Sequence, residues 1–164
     1  MSSVRIRPFT STDADAVVAL WQAAGLVRPW NDPYRDITRK LSQQPELFVV
    51  AVDEQDRVVG SVMAGFDGHR GWMNYLAAAT DTRGLGIGRA LVEHVEHELR
   101  AVGCPKLNLQ VRTSNSEVIA FYRHLGYQVD DVVSMGRRLI EDPSPSALPT
   151  ADSTAGPTTP PAPR

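Results

Sequence analysis

The stretch Arg83-Gly84-Leu85-Gly86-Ile87-Gly88 decides how this sequence is interpreted. It follows residues 72–78, which are predicted to form a strand, and precedes a segment with apolar residues at helical spacing. Glycines allow positive φ values and let an anion approach the backbone closely. The start of the following helix offers unpaired N–H groups and the positive end of its dipole, and Arg83 and Arg89 add charge. The stretch therefore predicts an anion site, for which a pyrophosphate is the natural ligand.

Two other phosphate-binding patterns fit this stretch less well. The dinucleotide fingerprint G-x-G-x-x-G needs glycine at position 89, where this chain has Arg89, and the acidic residue expected further on is missing. The P-loop needs Gly-Lys followed by Ser or Thr, which is absent from the chain. A plain glycine-rich turn remains the alternative from this segment alone.

The apolar pattern predicts an α+β fold in a single domain, with a mixed, mostly antiparallel central sheet flanked by about four helices. A capping-box-like pair, Thr12 with Asp15, marks the first helix, and Asp32-Pro33 marks the second. The third helix is expected over residues 87–102, and Asn115 caps a fourth that runs to Leu125. Strands are predicted at residues 4–9, 47–52, 57–66, 72–78, 106–111, 127–133 and 135–140.

The composition changes near Asp142. Residues 143–164 hold seven of the twelve prolines, and Leu148 is their only large apolar residue. Such a segment buries too little apolar surface to offset the entropy of ordering it. We predict a folded domain over residues 3–142 and a disordered tail over residues 143–164, with a Pro-rich ligand for another protein as the alternative reading of the tail.

The net charge and the cysteine content limit where the protein is expected in the cell and which partners it is expected to bind. The net charge of −2 gives no global basic bias toward nucleic acid or an anionic membrane surface. Cys104 is the only cysteine, so no internal disulfide is expected and a cytoplasmic location is the default. No run of eighteen apolar residues predicts a membrane span. A monomer and a homodimer are both left open.

Two motifs together resemble the GNAT superfamily of N-acetyltransferases. The first is Arg83-x-x-Gly86-x-Gly88, and the second is Asn115 followed by Phe121-Tyr122-Arg123-His124-Leu125-Gly126-Tyr127. The resemblance spans about residues 3–140. A more specific resemblance is to the YpeA-like bacterial acetyltransferases. The shared stretches are Arg28-Pro29-Trp30-Asn31-Asp32-Pro33, Gly68-His69-Arg70-Gly71, Gly103-Cys104-Pro105-Lys106 and Arg138-Leu139-Ile140-Glu141-Asp142.

The resemblance implies a site for acetyl-CoA as acyl donor, without a metal. It assigns the pyrophosphate to the amides of the glycine-rich stretch, and it adds a backbone N–H near Ala78 or Ala79 that polarises the thioester carbonyl. Asn115 and Tyr122 complete the implied cofactor contacts, and Tyr122 matches the family's general acid. A packing aromatic at a helix end is the alternative reading of Tyr122.

The base and the acceptor site are less defined by the sequence. Many GNATs carry a glutamate on the strand before the loop, but residues 72–78 contain no carboxylate. His69 is a tentative base because an imidazole titrates near neutral pH, and Asp67 or a chain of waters are alternatives. Trp30, Asn31 and Asp67 are tentative contacts of a small-molecule or peptide amine. We therefore expect an N-acetyltransferase acting by direct attack of a primary amine, with a non-catalytic acyl-CoA sensor as the alternative.

Overall fold

The computed structural model describes residues 4–142 as an open sheet of five strands. These are β1 (Arg5–Pro8), β2 (Phe48–Val52), β3 (Val58–Phe66), β4 (Gly71–Ala78) and β5 (Leu107–Leu109). The strands lie side by side in chain order. The first three pairs are antiparallel, and β4 pairs with β5 in parallel. The predicted mixed, mostly antiparallel sheet is confirmed.

Four α-helices cover the two faces of this sheet in the described part of the chain. They are α1 (Ala14–Ala23), α2 (Pro33–Leu41), α3 (Ile87–Ala101) and α4 (Ser116–His124). Alternate residues of β2 enter opposite cores: Val50 packs with α1 and α2, whereas Val49 packs with α3. This alternation follows from the two-residue period of a strand, and it explains why β2 is buried along its whole length.

Polar side chains begin the helices, with one shift from the sequence prediction. The Asp32 carboxylate accepts the Tyr34 N–H at 3.0 Å and caps α2 as predicted. The predicted pair of Thr12 with Asp15 is wrong: the capping pair is Thr10 with Asp13, whose carboxylate accepts the Thr10 N–H at 2.8 Å in the 3₁₀ turn Ser11–Asp13 that leads into α1. Arg7 on β1 binds the same carboxylate at 2.7 Å, which holds the helix start against the sheet.

The last two predicted strands are wrong. Residues 127–142 contain no regular element, and most of their apolar side chains are exposed. The segment lies beside β5 through side chains, since Lys106 binds Asp130 and Gln110 binds Ser134. An alternating apolar pattern makes a strand only where a partner backbone is available, and β5 offers an edge of three residues.

The described residues set the limits of two other predictions. The tail predicted at residues 143–164 lies outside them, so its disorder and the domain boundary stay predictions. Within residues 4–142, every helix is too short or too polar to cross a bilayer.

Candidate active site

Beyond the end of β5, one edge of β4 is unpaired in the described part of the chain, and we call the space beside this edge the cleft. The two strands pair from Gly71 with Leu107 to Met73 with Leu109, and β5 then ends. The remaining residues of β4, as far as Ala78, pair only with β3. Their other edge therefore presents main-chain groups to the cleft, and unpaired groups of this kind are ready to bind a ligand.

A bulge in β4 lies at the start of this free edge. Ser61 pairs with Ala77 and Met63 with Asn74, so two residues of β4 lie opposite one residue of β3. One of these two residues, Tyr75, has a φ of 54°, in the left-handed region. A bulge bends its strand and increases the local twist, and the pairing of β4 with β5 ends directly before this bulge.

The structure distinguishes Ala78 from Ala79, the two candidates for the amide that is expected to face the thioester carbonyl. The Ala79 N–H donates to the Val59 carbonyl of β3 at 2.8 Å, so it is already used. Successive N–H groups of an extended strand point to opposite sides. The Ala78 N–H therefore points away from β3 and into the cleft, and the Ala78 side chain is exposed there.

The glycine loop, residues 83–88, presents a row of amides at the start of α3. Gly84 and Gly86 have φ values of 82° and 74°, which favour glycine. Among residues 4–142, no acceptor is found for the amide N–H groups of Gly84, Gly86, Ile87, Gly88 and Arg89. The first bond back into the helix is from the Ala90 N–H to the Gly86 carbonyl, at 2.9 Å. Five donors at a helix N-terminus have an arrangement that suits the binding of an anion.

Two small contacts fix the glycine loop against the rest of the domain. A Cβ on Gly60 of β3 would lie 2.8 Å from Ile87 Cγ2, so α3 packs closely on the sheet at its first residue. A Cβ on Gly88 would lie 3.3 Å from the Phe121 ring, so α4 packs on the first turn of α3. Arg83 and Arg89 are exposed and form no ion pair with any other described residue.

Tyr122 lies on α4 next to Phe121, the residue that packs on Gly88, and 8% of its surface is exposed. Its ring meets Phe121 and Tyr127 edge-on, with centroids 5.1 and 5.5 Å away. No described residue forms a hydrogen bond with its hydroxyl, and burial raises the pKa of the Tyr122 phenol above its ordinary value. The phenol therefore keeps its proton at neutral pH and has that proton to donate. Asn115 caps the same helix by accepting the Val118 N–H at 3.3 Å.

The α1–α2 side of β4 holds two of the tentative acceptor contacts. Trp30, in the loop before α2, is 50% exposed. The neighbouring Asn31 amide donates to the Tyr75 hydroxyl at 2.8 Å, and Tyr75 donates in turn to Asp36 at 2.6 Å. The structure thus brings Asn31 to the bulge in β4.

His69 and Asp67 do not join the other site residues. They lie in the turn before β4, and seven residue steps of about 3.3 Å separate Gly71 from Ala78, so the turn is about 20 Å from the cleft amide. The Asp67 carboxylate accepts the N–H groups of His69 and Arg70, both at 2.7 Å, and these bonds lower its pKa. Asp67 holds the turn through these two bonds, and we propose neither residue as a base or as an acceptor contact.

The sequence reasoning missed Tyr75 and Asp36. The two residues are 39 positions apart, and neither belongs to a motif. Asn74 pairs with Met63 and Tyr75 packs in the same α1–α2 core, but this break in the alternation of β4 is visible only in the folded sheet.

The comparisons with known proteins agree with this geometry. The model of the acetyltransferase (GNAT) family matches residues 15–127. An acetyltransferase of Pectobacterium atrosepticum is 49% identical over 139 residues, which cover 85% of this chain and 98% of the relative. An acetyltransferase of Yersinia enterocolitica is 48% identical with the same coverage. The narrower resemblance to the YpeA-like branch is compatible with these relatives and stays a prediction.

Solved structures give the same fold. Ard1 from Thermoplasma volcanium superposes with a TM-score of 0.70 at 24% identity, over 77% of this chain and 84% of that one. Naa20 of Chaetomium thermophilum, in complex with a bisubstrate analogue, gives 0.64 at 26% identity, over 76% and 71%. The free edge of β4, the glycine loop and the matched family model lead to one conclusion: the chain belongs to the GNAT family of acetyltransferases, and it is an acyltransferase.

Proposed function

We propose that this acetyltransferase uses acetyl-CoA as its donor and transfers the acetyl group directly to a primary amine. The acceptor is a small molecule or the amino group of a peptide. The observation that carries the proposal is the row of five unpartnered amides at the start of α3.

The glycine loop suits the pyrophosphate of acetyl-CoA. Backbone N–H groups and the helix dipole favour a compact anion at that point. Arg83 and Arg89 have no competing carboxylate among the described residues, so their guanidinium groups are available to the phosphates. From the loop, the pantetheine arm follows the free edge of β4 and brings the thioester to Ala78.

At the thioester, the Ala78 N–H stabilises the developing oxyanion. The amine nitrogen attacks the carbonyl carbon, a C–N bond forms, and the π electron pair moves to the oxygen. A preorganised backbone donor at the position where charge develops typically contributes about 10²- to 10³-fold in rate. Collapse of the tetrahedral intermediate breaks the C–S bond, and the amide product remains.

Tyr122 donates the proton that the departing thiolate takes up. Burial raises the pKa of the phenol, so it stays protonated until the sulfur carries charge. The pKa of the phenol exceeds that of an ordinary thiol, so proton transfer to the sulfur is late. The surplus proton on the nitrogen of the tetrahedral intermediate passes through water to the Tyr122 phenolate and restores the phenol, because no carboxylate or imidazole of β4 is available to accept it.

Two measurements on the full-length protein test this proposal. Acetyl-CoA at saturating concentration raises the melting temperature, whereas NAD at the same concentration does not. A panel of small amines, amino acids, aminoglycosides and free peptide N-termini then identifies the acceptor by release of free CoA thiol. Equal shifts by acetyl-CoA and NAD would contradict the donor assignment, and thiol release that no amine accelerates would contradict N-acetyl transfer.

A further inference from the structure

We propose that Asn31, Asp36 and Tyr75, the tyrosine network, are positioning residues that hold the bulge of β4 and so aim the Ala78 amide at the thioester carbonyl. The inference rests on the proposed function, because it assigns these three residues an effect on that same carbonyl.

The tyrosine network ties the bulge to α2 and to the loop before it. The Tyr75 hydroxyl donates to Asp36 Oδ2 at 2.6 Å and accepts from Asn31 Nδ2 at 2.8 Å. Asn31 Nδ2 also donates to Asp36 Oδ2, which closes a ring of three contacts. Such a closed set fixes the position of each member more tightly than a single bond does.

The Tyr75 ring is held from the other side. It stacks on Trp21 of α1, with centroids 4.1 Å apart and planes 19° apart. The Trp21 indole N–H donates to Ser61 Oγ on β3 at 2.9 Å. Ser61 is the last paired residue of β3 before the bulge, so the stack is anchored to the strand with which β4 pairs on both sides of the bulge.

The backbone at Tyr75 needs this support. A φ of 54° is unfavourable for a residue with a bulky side chain, and such a conformation persists only where the surroundings fix it. Burial and Asp36 raise the pKa of the Tyr75 phenol, so its hydroxyl keeps the proton that it donates. Ala78 lies three residues further along the same strand, so a change in the bulge rotates its N–H.

Asp36 holds Tyr75 and is not a free anion for an acceptor amine. Its other oxygen, Oδ1, binds Arg39 at 3.2 Å, and Arg39 also binds Asp142 at 2.7 Å. The carboxylate therefore has three donors from the chain itself, which leaves it a structural partner of the bulge. The network joins Asn31, a predicted contact of the acceptor amine, to the strand that carries the Ala78 N–H.

The decisive variant is Tyr75→Phe, with Tyr34→Phe as its matched control. Tyr75→Phe removes both hydrogen bonds of the hydroxyl and keeps the ring that stacks on Trp21. Tyr34 also donates to an aspartate, Asp15, at 2.9 Å, but this pair joins α2 to α1 on the surface and does not touch β4. Each variant therefore loses one Tyr–Asp bond, and only one of them changes the bulge.

The probe is acetyl-CoA labelled with ¹³C at the carbonyl, so no acceptor is needed. In the wild-type protein the bound carbonyl resonance moves downfield, because the Ala78 N–H polarises the C=O bond. In Tyr75→Phe we expect about half of this shift to be lost, whereas the Kd of acetyl-CoA changes less than about threefold because the glycine loop is untouched. Tyr34→Phe keeps the wild-type shift and the wild-type Kd.

Asp36→Asn is the second variant, for the case in which Tyr75→Phe does not fold. It keeps the shape of the side chain and weakens the bond from Tyr75 by removing the charge. A wild-type carbonyl shift in a folded Tyr75→Phe or Asp36→Asn protein would overturn the network's role and leave the proposed function standing. Failure of the wild-type protein to bind acetyl-CoA would instead overturn the proposed function, and the network's role with it.

Discussion

The two sides of the candidate site are built from different parts of the chain. The glycine loop offers main-chain N–H groups of nearly consecutive residues, and its form depends on two glycines with positive φ. The α2 side of β4 is held by side chains whose partners are 39 and 44 positions apart in the sequence. A side chain added at Gly84 or Gly86 would disrupt the glycine loop. On the α2 side, the loss of the Tyr75 hydroxyl would be enough to disrupt the network.

This difference separates what each side contributes to the reaction. In our proposal the backbone amides bind the donor by charge and geometry, and a side-chain substitution that spares the glycines leaves them in place. The tyrosine network binds nothing itself in our proposal and acts through the direction of one amide. Variants of the two sides should therefore divide into those that change acetyl-CoA affinity and those that change the chemical step.

The largest effect is expected from Tyr122→Phe, which removes the proton donor but keeps the buried ring. We predict that kcat falls about 10²-fold, because general acid catalysis typically contributes this much or more. The Kd of acetyl-CoA, measured by calorimetry, stays within about twofold of the wild-type value, since the glycine loop is intact.

Tyr127→Phe is the matched control for that measurement. Tyr127 belongs to the same aromatic cluster, but its hydroxyl donates to Glu96 at 2.9 Å and has no proposed role in the reaction. Equal losses of kcat in the two variants would mean that packing, and not proton donation, explains the effect at Tyr122.

Gly86→Val comes next and acts on affinity. The left-handed conformation with a φ of 74° is strained for any residue with a β-branch, so the row of amides is displaced. We predict that the Kd of acetyl-CoA rises about tenfold or more, equivalent to about 1.4 kcal/mol or more. Gly68→Val is the control, because Gly68 has a φ of 90° and equally open surroundings but lies in the distant β3–β4 turn. A similar loss of affinity in both variants would mean that reduced folding stability, and not displacement of the glycine loop, causes the weaker binding.

A smaller effect is expected from Arg83→Gln and Arg89→Gln. Each removes one exposed cation near the phosphates, so we predict a rise in Kd of about three- to tenfold at low salt that shrinks at high salt. Arg100→Gln lies at the other end of α3, where Arg100 already pairs with Glu96 at 2.7 Å, and it should change the Kd little. Calorimetric titrations at two ionic strengths measure all three, and a salt-independent loss would contradict a charge effect.

The smallest predicted effect is a change in the free energy of unfolding at alkaline pH. Burial raises the pKa of the phenols of Tyr75 and Tyr122, so in the folded protein each binds its proton more tightly than in the unfolded chain. Their contribution to the free energy of unfolding is full below the ordinary tyrosine pKa of about 10 and declines as the pH rises above it. Urea unfolding at about pH 8 and pH 11 should show a shallower decline in Tyr122→Phe than in the wild type, because a phenyl ring has no proton to lose. Equal declines would mean that this phenol is not held in its neutral form.

The same contrast explains how much the sequence predicts. Asp32 and Asn115 start their helices as expected, because a cap depends on neighbours within one helical turn. The glycine loop is recognisable for the same reason, since all its groups lie within a few residues. The bulge at Tyr75 depends on Asp36 and Trp21, whose contacts exist only after the sheet and the first two helices have packed.

The differences from the sequence predictions have the same physical origin. The titration range of an imidazole favours His69, but the length of β4 places this residue at the far end of that strand. Apolar residues predict strands over residues 127–133 and 135–140, but they do not reveal whether a neighbouring backbone is available.

Backbone amide resonances measured with CoA and with acetyl-CoA test the central claim most directly. The account predicts that both ligands shift the amides of Gly84, Gly86, Ile87, Gly88 and Arg89, because both carry the pyrophosphate. It also predicts that the Ala78 amide moves downfield with acetyl-CoA and much less with CoA, because only acetyl-CoA has a carbonyl to accept its N–H. Loop amides that do not respond, or an Ala78 amide that responds equally to both ligands, would contradict it.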